Sequence, residues 1–91
     1  RFKDLDKSLR DQYSVPYGVN GVVITGVKNN SPAFDAGFKV GYVISQMSQV
    51  NIESAEQAQK IFTKAEEENA EIILMQVFQN GFPRFIPFKL K

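Results

Sequence analysis

Apolar residues along this chain fall into short runs separated by polar and glycine-containing punctuation, and the period of the runs changes along the chain. Phe2–Leu5 alternates apolar and charged positions and reads as a short strand or strand end. Ser8–Tyr13 reads as a brief helix with Ser8 as its N-cap. It should stop at Val15-Pro16, because proline disfavours helical geometry in the residue before it. Gly18–Gly21 has the composition of a turn, and Val22–Val27, apolar but for Thr25 and β-branched throughout except at Gly26, reads as a buried strand. Asn29-Asn30-Ser31-Pro32 opens a short helix, since Ser31 can cap and Pro32 suits the first helical position. Gly37 sits where that helix must end in a left-handed residue, and Tyr42–Met47, entered through Gly41, reads as the next strand.

Ser54–Glu68 carries the clearest helical signal. Ser54 and Gln57 have capping-box spacing, and Ala55, Ala58, Ile61, Phe62 and Ala65 recur on one helical face. Glu71–Phe78 is apolar on both faces, the pattern of a central strand covered on two sides. Asn80-Gly81 is a two-residue hairpin signal, since both positions of the favoured turn need positive φ. Arg84–Leu90 then returns as the partner strand, and Pro87, which has no ladder donor, makes it an edge or bulged strand. The pattern predicts an α+β domain spanning residues 1–91. It has five to six short strands, one long helix and one or two short ones, closed into a small, partly open β-barrel or sandwich.

Composition narrows the function classes. At 91 residues the chain can bury one core without staples, and 43% apolar residues is enough to fill it. No apolar run approaches the roughly 18–20 residues that span a bilayer, so no membrane insertion is expected. The chain begins at Arg1 rather than Met and reads as a piece of something longer, with any targeting signal upstream. Eleven basic against ten acidic residues give a net charge of +1, scattered singly, which does not suit a nucleic-acid partner.

There is no histidine and no cysteine. Neither a Ser-His-Asp nor a Cys-His arrangement can therefore be assembled, nor the usual zinc ligand sets. Glu66-Glu67-Glu68 reads as a solvated helix end rather than a pair of tuned carboxylates. No catalytic residue, metal or cofactor is expected, and the piece is not itself an enzyme.

One stretch is more specific. Gly21–Ile44, GVVITGVKNNSPAFDAGFKVGYVI, places Ser31-Pro32-Ala33 and Ala36-Gly37 between two strands, with Gly41 entering the second. With Ser54–Ala65, Ile72–Phe78 and Arg84–Leu90 following, it resembles the PDZ domains of bacterial Deg/HtrA-type serine proteases over nearly the whole chain. The ending FPRFIPFKL resembles the close of a C-terminal PDZ copy. Two positions depart from that pattern. Tyr42 stands where the family has Asp after the turn glycine, and Ser48-Gln49 where it often has Asn-Gly. The family's carboxylate-binding loop would precede residue 1, so no carboxylate-binding residues are assigned.

The resemblance implies a module that captures unfolded or C-terminal peptide segments by β-strand addition. The peptide would lie between Phe2-Lys3-Asp4-Leu5 and the helix positions Ala55, Gln59 and Phe62, with Ala58 facing the core. It further implies a parent serine endopeptidase, whose protease domain would be a partner in the same chain, and a periplasmic or envelope location. On spacing alone, Ala55, Ile61 and Phe62 read as core of any helix on a sheet, and Phe2 and Leu5 as core of a terminal strand. Lys3 and Asp4 read equally as charges that blunt an edge.

Two alternatives stay open beside peptide capture. One is a PDZ copy that acts mainly in assembling protomers into a homo-oligomer, its groove vestigial. The other is the PDZ domain of a site-2-type membrane protease or a secretion component.

Overall fold

The computed structural model describes residues 2–15, 18–79 and 82–90. Its elements run β1 (Phe2–Asp4), α1 (Lys7–Gln12), β2 (Val22–Ile24), α2 (Pro32–Ala36), β3 (Val43–Met47), β4 (Val50–Asn51), α3 (Ala55–Glu67), β5 (Ile72–Gln79) and β6 (Phe82–Lys89). The strands form one open antiparallel sheet in the order β1-β2-β3-β5-β6, with β4 paired to β3 off that path. This is the expected α+β architecture, with β1 at one edge and β6 at the other. The Asn80-Gly81 turn lies outside the described residues, and Gln79 pairs with Phe82 at the closed end of the β5–β6 hairpin.

Side-chain alternation gives the sheet two unlike faces. Val22, Ile24, Ile44, Met47, Ile73, Met75, Val77 and Ile86 point to one face, where Ala58 of α3 and Phe38 complete the main core. Val23 and Val43 point to the other, where Val19 joins them and Leu5, Leu9, Tyr13, Val15 and Phe78 pack around the three. α1 is thus the cover of the second face, and it is short. Ile72 and Leu74 of β5, with Phe85 of β6, remain 50%, 39% and 61% exposed. The apolar pattern of β5 had predicted cover on both faces. The strand is central, yet only its Val77 side is buried throughout, because α1 ends before reaching it.

Local details also depart from the sequence reading. The cap of α1 is Asp6, whose carboxylate accepts from the Leu9 N–H at 2.8 Å, so the helix starts ahead of Ser8. Its stop at Gln12 precedes Val15, with Ser14 at φ 53°; Pro16 lies outside the described residues. β2 ends at Ile24 rather than Val27, since from Thr25 onward the chain leaves the ladder. Ser54 caps α3 as expected, accepting from the Gln57 N–H at 3.1 Å. Gln57 reaches one residue further back than a capping box requires, accepting from the Glu53 N–H at 2.7 Å and donating to the Asn51 carbonyl at 2.9 Å. The short helix α2 follows the prediction, with Ser31 accepting from the Phe34 N–H and Gly37 at φ 95° closing it.

Two backbone positions yield tests. Gly21 has φ 145°, and a Cβ there would stand 2.1 Å from the Ile44 carbonyl oxygen, so β2 enters the sheet only because this residue has no side chain. Gly21→Ala is expected to destabilise the domain by about 3 kcal/mol or more, read from urea unfolding. Met47 and Val50 pair across Ser48-Gln49, whose φ values of 52° and 68° are those of a type I′ turn. The turn therefore keeps the geometry that Asn-Gly would favour, with residues that strain it. Replacing Ser48 by Asn and Gln49 by Gly together should raise stability by about 1 kcal/mol, read as a higher denaturation midpoint at an unchanged slope.

Candidate functional site

β1 is held at the sheet edge by pairing with β2, Phe2 opposite Ile24, Lys3 opposite Val23 and Asp4 opposite Val22. Its other edge is unpaired, and α3 packs against it. At the Phe2 end an apolar pocket of about 180 Å³ opens beneath this edge. Phe2, Ile24, Gly26 and Val27 line it from one side and Phe62 of α3 from the other. Ala33, Phe38, Ile44, Met47, Met75 and Phe88 complete its wall and floor. Phe88 stacks obliquely on both Phe38 and Phe62, at centroid distances of 5.9 and 5.6 Å, and so ties β6 into the same wall. No charged side chain enters the lining. What such a pocket can do is remove an apolar side chain from water.

Of the residues singled out from the sequence, Phe2 and Phe62 meet at this pocket. Ala55, two turns N-terminal to Phe62 on α3, packs half-buried against the main core. Gln59 is exposed on the helix and donates to Thr63 at 3.3 Å. Lys3 and Asp4 are exposed on β1, and the Asp4 carboxylate accepts from the Ala55 N–H at 2.5 Å, bridging strand and helix. Leu5 lies past the strand and joins the cluster on the opposite face, under α1. Ala58 is fully buried, as its assignment to the core required.

Sequence reasoning did not find the rest of the pocket. Ile24, Ala33, Phe38, Ile44, Met47, Met75 and Phe88 read along the chain as ordinary core. The one available signal was alternation: Ile86 and Phe88 share a face of β6 that points under α3.

Tyr42 fills its departed position without leaving a buried polar atom unpaired. It is 5% exposed, and its hydroxyl donates to Gln79 Oε1 at 3.0 Å. Among the described residues no cluster of acidic side chains could hold a metal ion, and no helix is long and apolar enough to cross a membrane.

The fold has close counterparts. The PDZ domain of HtrA3, solved with the phage-derived ligand FGRWV, superposes with a TM-score of 0.78 at 17% identity, over 98% of this chain and 78% of that one. The HtrA-type protease AlgW, solved with a decapeptide, superposes with a TM-score of 0.81 at 20% identity, over 98% of this chain and 26% of that one. The chain has a PDZ fold. Among curated sequences, a "probable periplasmic serine endoprotease DegP-like" of Rickettsia conorii is 24% identical over 89 residues, 98% of this chain. The chain spans 17% of the length of that relative. No family model matches the chain.

Proposed function

We propose that this PDZ domain binds extended peptide segments by strand addition along β1, seating one apolar side chain in the pocket between Phe2 and Phe62. The observation that carries this reading is the coincidence of an apolar pocket with an exposed sheet edge. The opposite edge is unsuited to the same use. Pro83 and Pro87 lie four apart on β6, so both missing donors fall on the same side of the strand. Because the β5–β6 register runs unbroken past them, that side is the outer one. Phe2 and Lys3 would supply backbone partners to the ligand, Phe62 and Ala55 its helical wall, Gln59 the rim, and Asp4 the far end of the slot.

The HtrA3 and AlgW structures, each solved with a peptide, support a peptide as the ligand class. The DegP-like relative supports a parent serine endopeptidase, with its protease domain a partner in the same chain, and a periplasmic setting. On that reading the domain presents unfolded or C-terminal segments to a protease that lies elsewhere in the chain.

One observation favours a second reading, assembly through a second copy of this domain. Ile72, Leu74 and Phe85 form an exposed apolar strip on the outer face of the β5–β6 hairpin. Strand pairing at β6 is blocked by its prolines, so face-to-face packing of two strips is the contact available.

An amide NMR titration with FGRWV separates the two readings. Peptide capture predicts shifts at Phe2–Asp4 and Ala55–Phe62 and a dissociation constant on the order of 10 μM. Ala33→Phe, which fills the pocket, should weaken binding at least about tenfold, the loss of one buried apolar side chain. A folded protein that shows no shift at about 1 mM peptide would sink this reading. Concentration-dependent sedimentation abolished by Phe85→Glu would then favour assembly.

A further inference from the structure

The slot between β1 and α3 is not open along its length. At the Phe2 end the strand and helix stand apart with the apolar pocket between them. At the Asp4 end they are joined, because the Asp4 carboxylate accepts a hydrogen bond from the backbone N–H of Ala55, the first residue of α3, at 2.5 Å. An aspartate side chain reaches less than about 4 Å from its own Cα. The Asp4 Cα and the Ala55 nitrogen therefore lie within roughly 6.5 Å of each other, adding that reach to the bond length. A peptide added to a sheet edge needs about 4.8 Å from the strand it pairs with. The start of α3 is therefore tied to β1 at a separation comparable to one strand spacing, with the Asp4 carboxylate lying between them.

The bond is also not needed to start the helix. Ser54 already caps α3 through the Gln57 N–H, and Gln57 closes the preceding turn onto Glu53 and Asn51. Asp4 is exposed and comes from a distant part of the chain, with no ion pair to a basic side chain among the described residues. Its contact spans the slot rather than the helix's own first turn.

We propose that the Asp4–Ala55 bond is an autoinhibitory latch across the peptide slot. Closed, it leaves a seat only for the terminal side chain of a ligand and its nearest neighbour, beside Phe2 and Phe62. A longer segment must break the bond to extend along β1, so opening the latch opposes its binding. The proposal deepens the peptide-capture reading and rests on it.

The latch can be broken from either side. Asp4→Ala removes the acceptor. Ala55→Pro removes the donor while suiting the helix, since proline is favoured at the first helical position and Ser54, at φ −150° and ψ 159°, already has the extended geometry that precedes proline. Isothermal titration would compare FGRWV with its acetylated Trp-Val tail on the unaltered domain and both variants. The expected result is that FGRWV binds about 5–10-fold tighter to both variants, the range that a hydrogen bond of about 1–1.4 kcal/mol converts to. The gain should shrink to less than about twofold for the Trp-Val tail, which is too short to reach the latch. Amide exchange at Ala55 gives a readout that needs no ligand, and it should quicken in Asp4→Ala.

Equal or weaker FGRWV binding in both variants, with binding to the unaltered domain intact, overturns the latch and leaves peptide capture standing. Absence of binding by either peptide to any of the three proteins overturns both. A gain in one variant alone assigns the effect to that side chain and not to the shared bond, and also overturns the latch.

Discussion

Ala58 sits in the middle of α3 with none of its surface exposed, against a sheet face made of Val22, Ile44, Met47, Ile73 and Val77. A methyl group at this point lets the helix backbone approach the sheet closely, while the larger Phe62, one turn further on, is only half-buried and stands toward the sheet edge. The pocket beneath Phe2 follows from this difference. Where the helix carries alanine the layers close, and where it carries phenylalanine they part and leave apolar walls that no residue of the chain fills. A larger side chain at position 58 would lift α3, widen the slot along its whole length and separate Asp4 from Ala55.

The same layering explains why the two edges and two faces of one small sheet have such different surfaces. One face is covered by α3 and α2, and its margin becomes the groove. The other is covered only where Leu9 and Tyr13 of α1 and its flank reach Val23 and Val43, so the hairpin β5–β6 presents Ile72, Leu74 and Phe85 to solvent. Pro83 and Pro87, whose missing donors both fall on the outer side of β6, keep that apolar hairpin from extending by strand pairing. The other edge strand, β1, carries no proline and lies beside the pocket.

Some elements were legible because their signals are local. The caps at Ser31 and Ser54, the stop at Gly37, the helix over Ala55–Glu67 and the edge role of the proline-bearing last strand all depend on residues within a few positions of one another. Others were misread because the deciding partner is remote in sequence. Val27 continues the apolar run of β2, but β3 offers ladder partners only to Val22 and Val23. β5 reads as doubly covered, but whether anything lies over Ile72 and Leu74 depends on where α1 stops, some sixty residues earlier. Ser48-Gln49 is a local exception: it lacks the Asn-Gly that favours positive φ, yet the pairing of Met47 with Val50 on either side of it places both residues there.

For the site, the sequence by itself determined which residue types were present and which chemistry was closed to them. Without histidine or cysteine the familiar triads and zinc sites are excluded, and the periodicity of α3 settles which of its residues share a face. Only the tertiary structure decided that Phe2 and Phe62, sixty positions apart, bound one pocket with Phe38 and Phe88, and that Asp4 closes the slot at its other end. The reason is physical: periodicity reports the direction of a side chain relative to its own backbone, whereas a pocket is the space left between elements. That space is set by the packing distance of α3 on the sheet, which no single segment encodes.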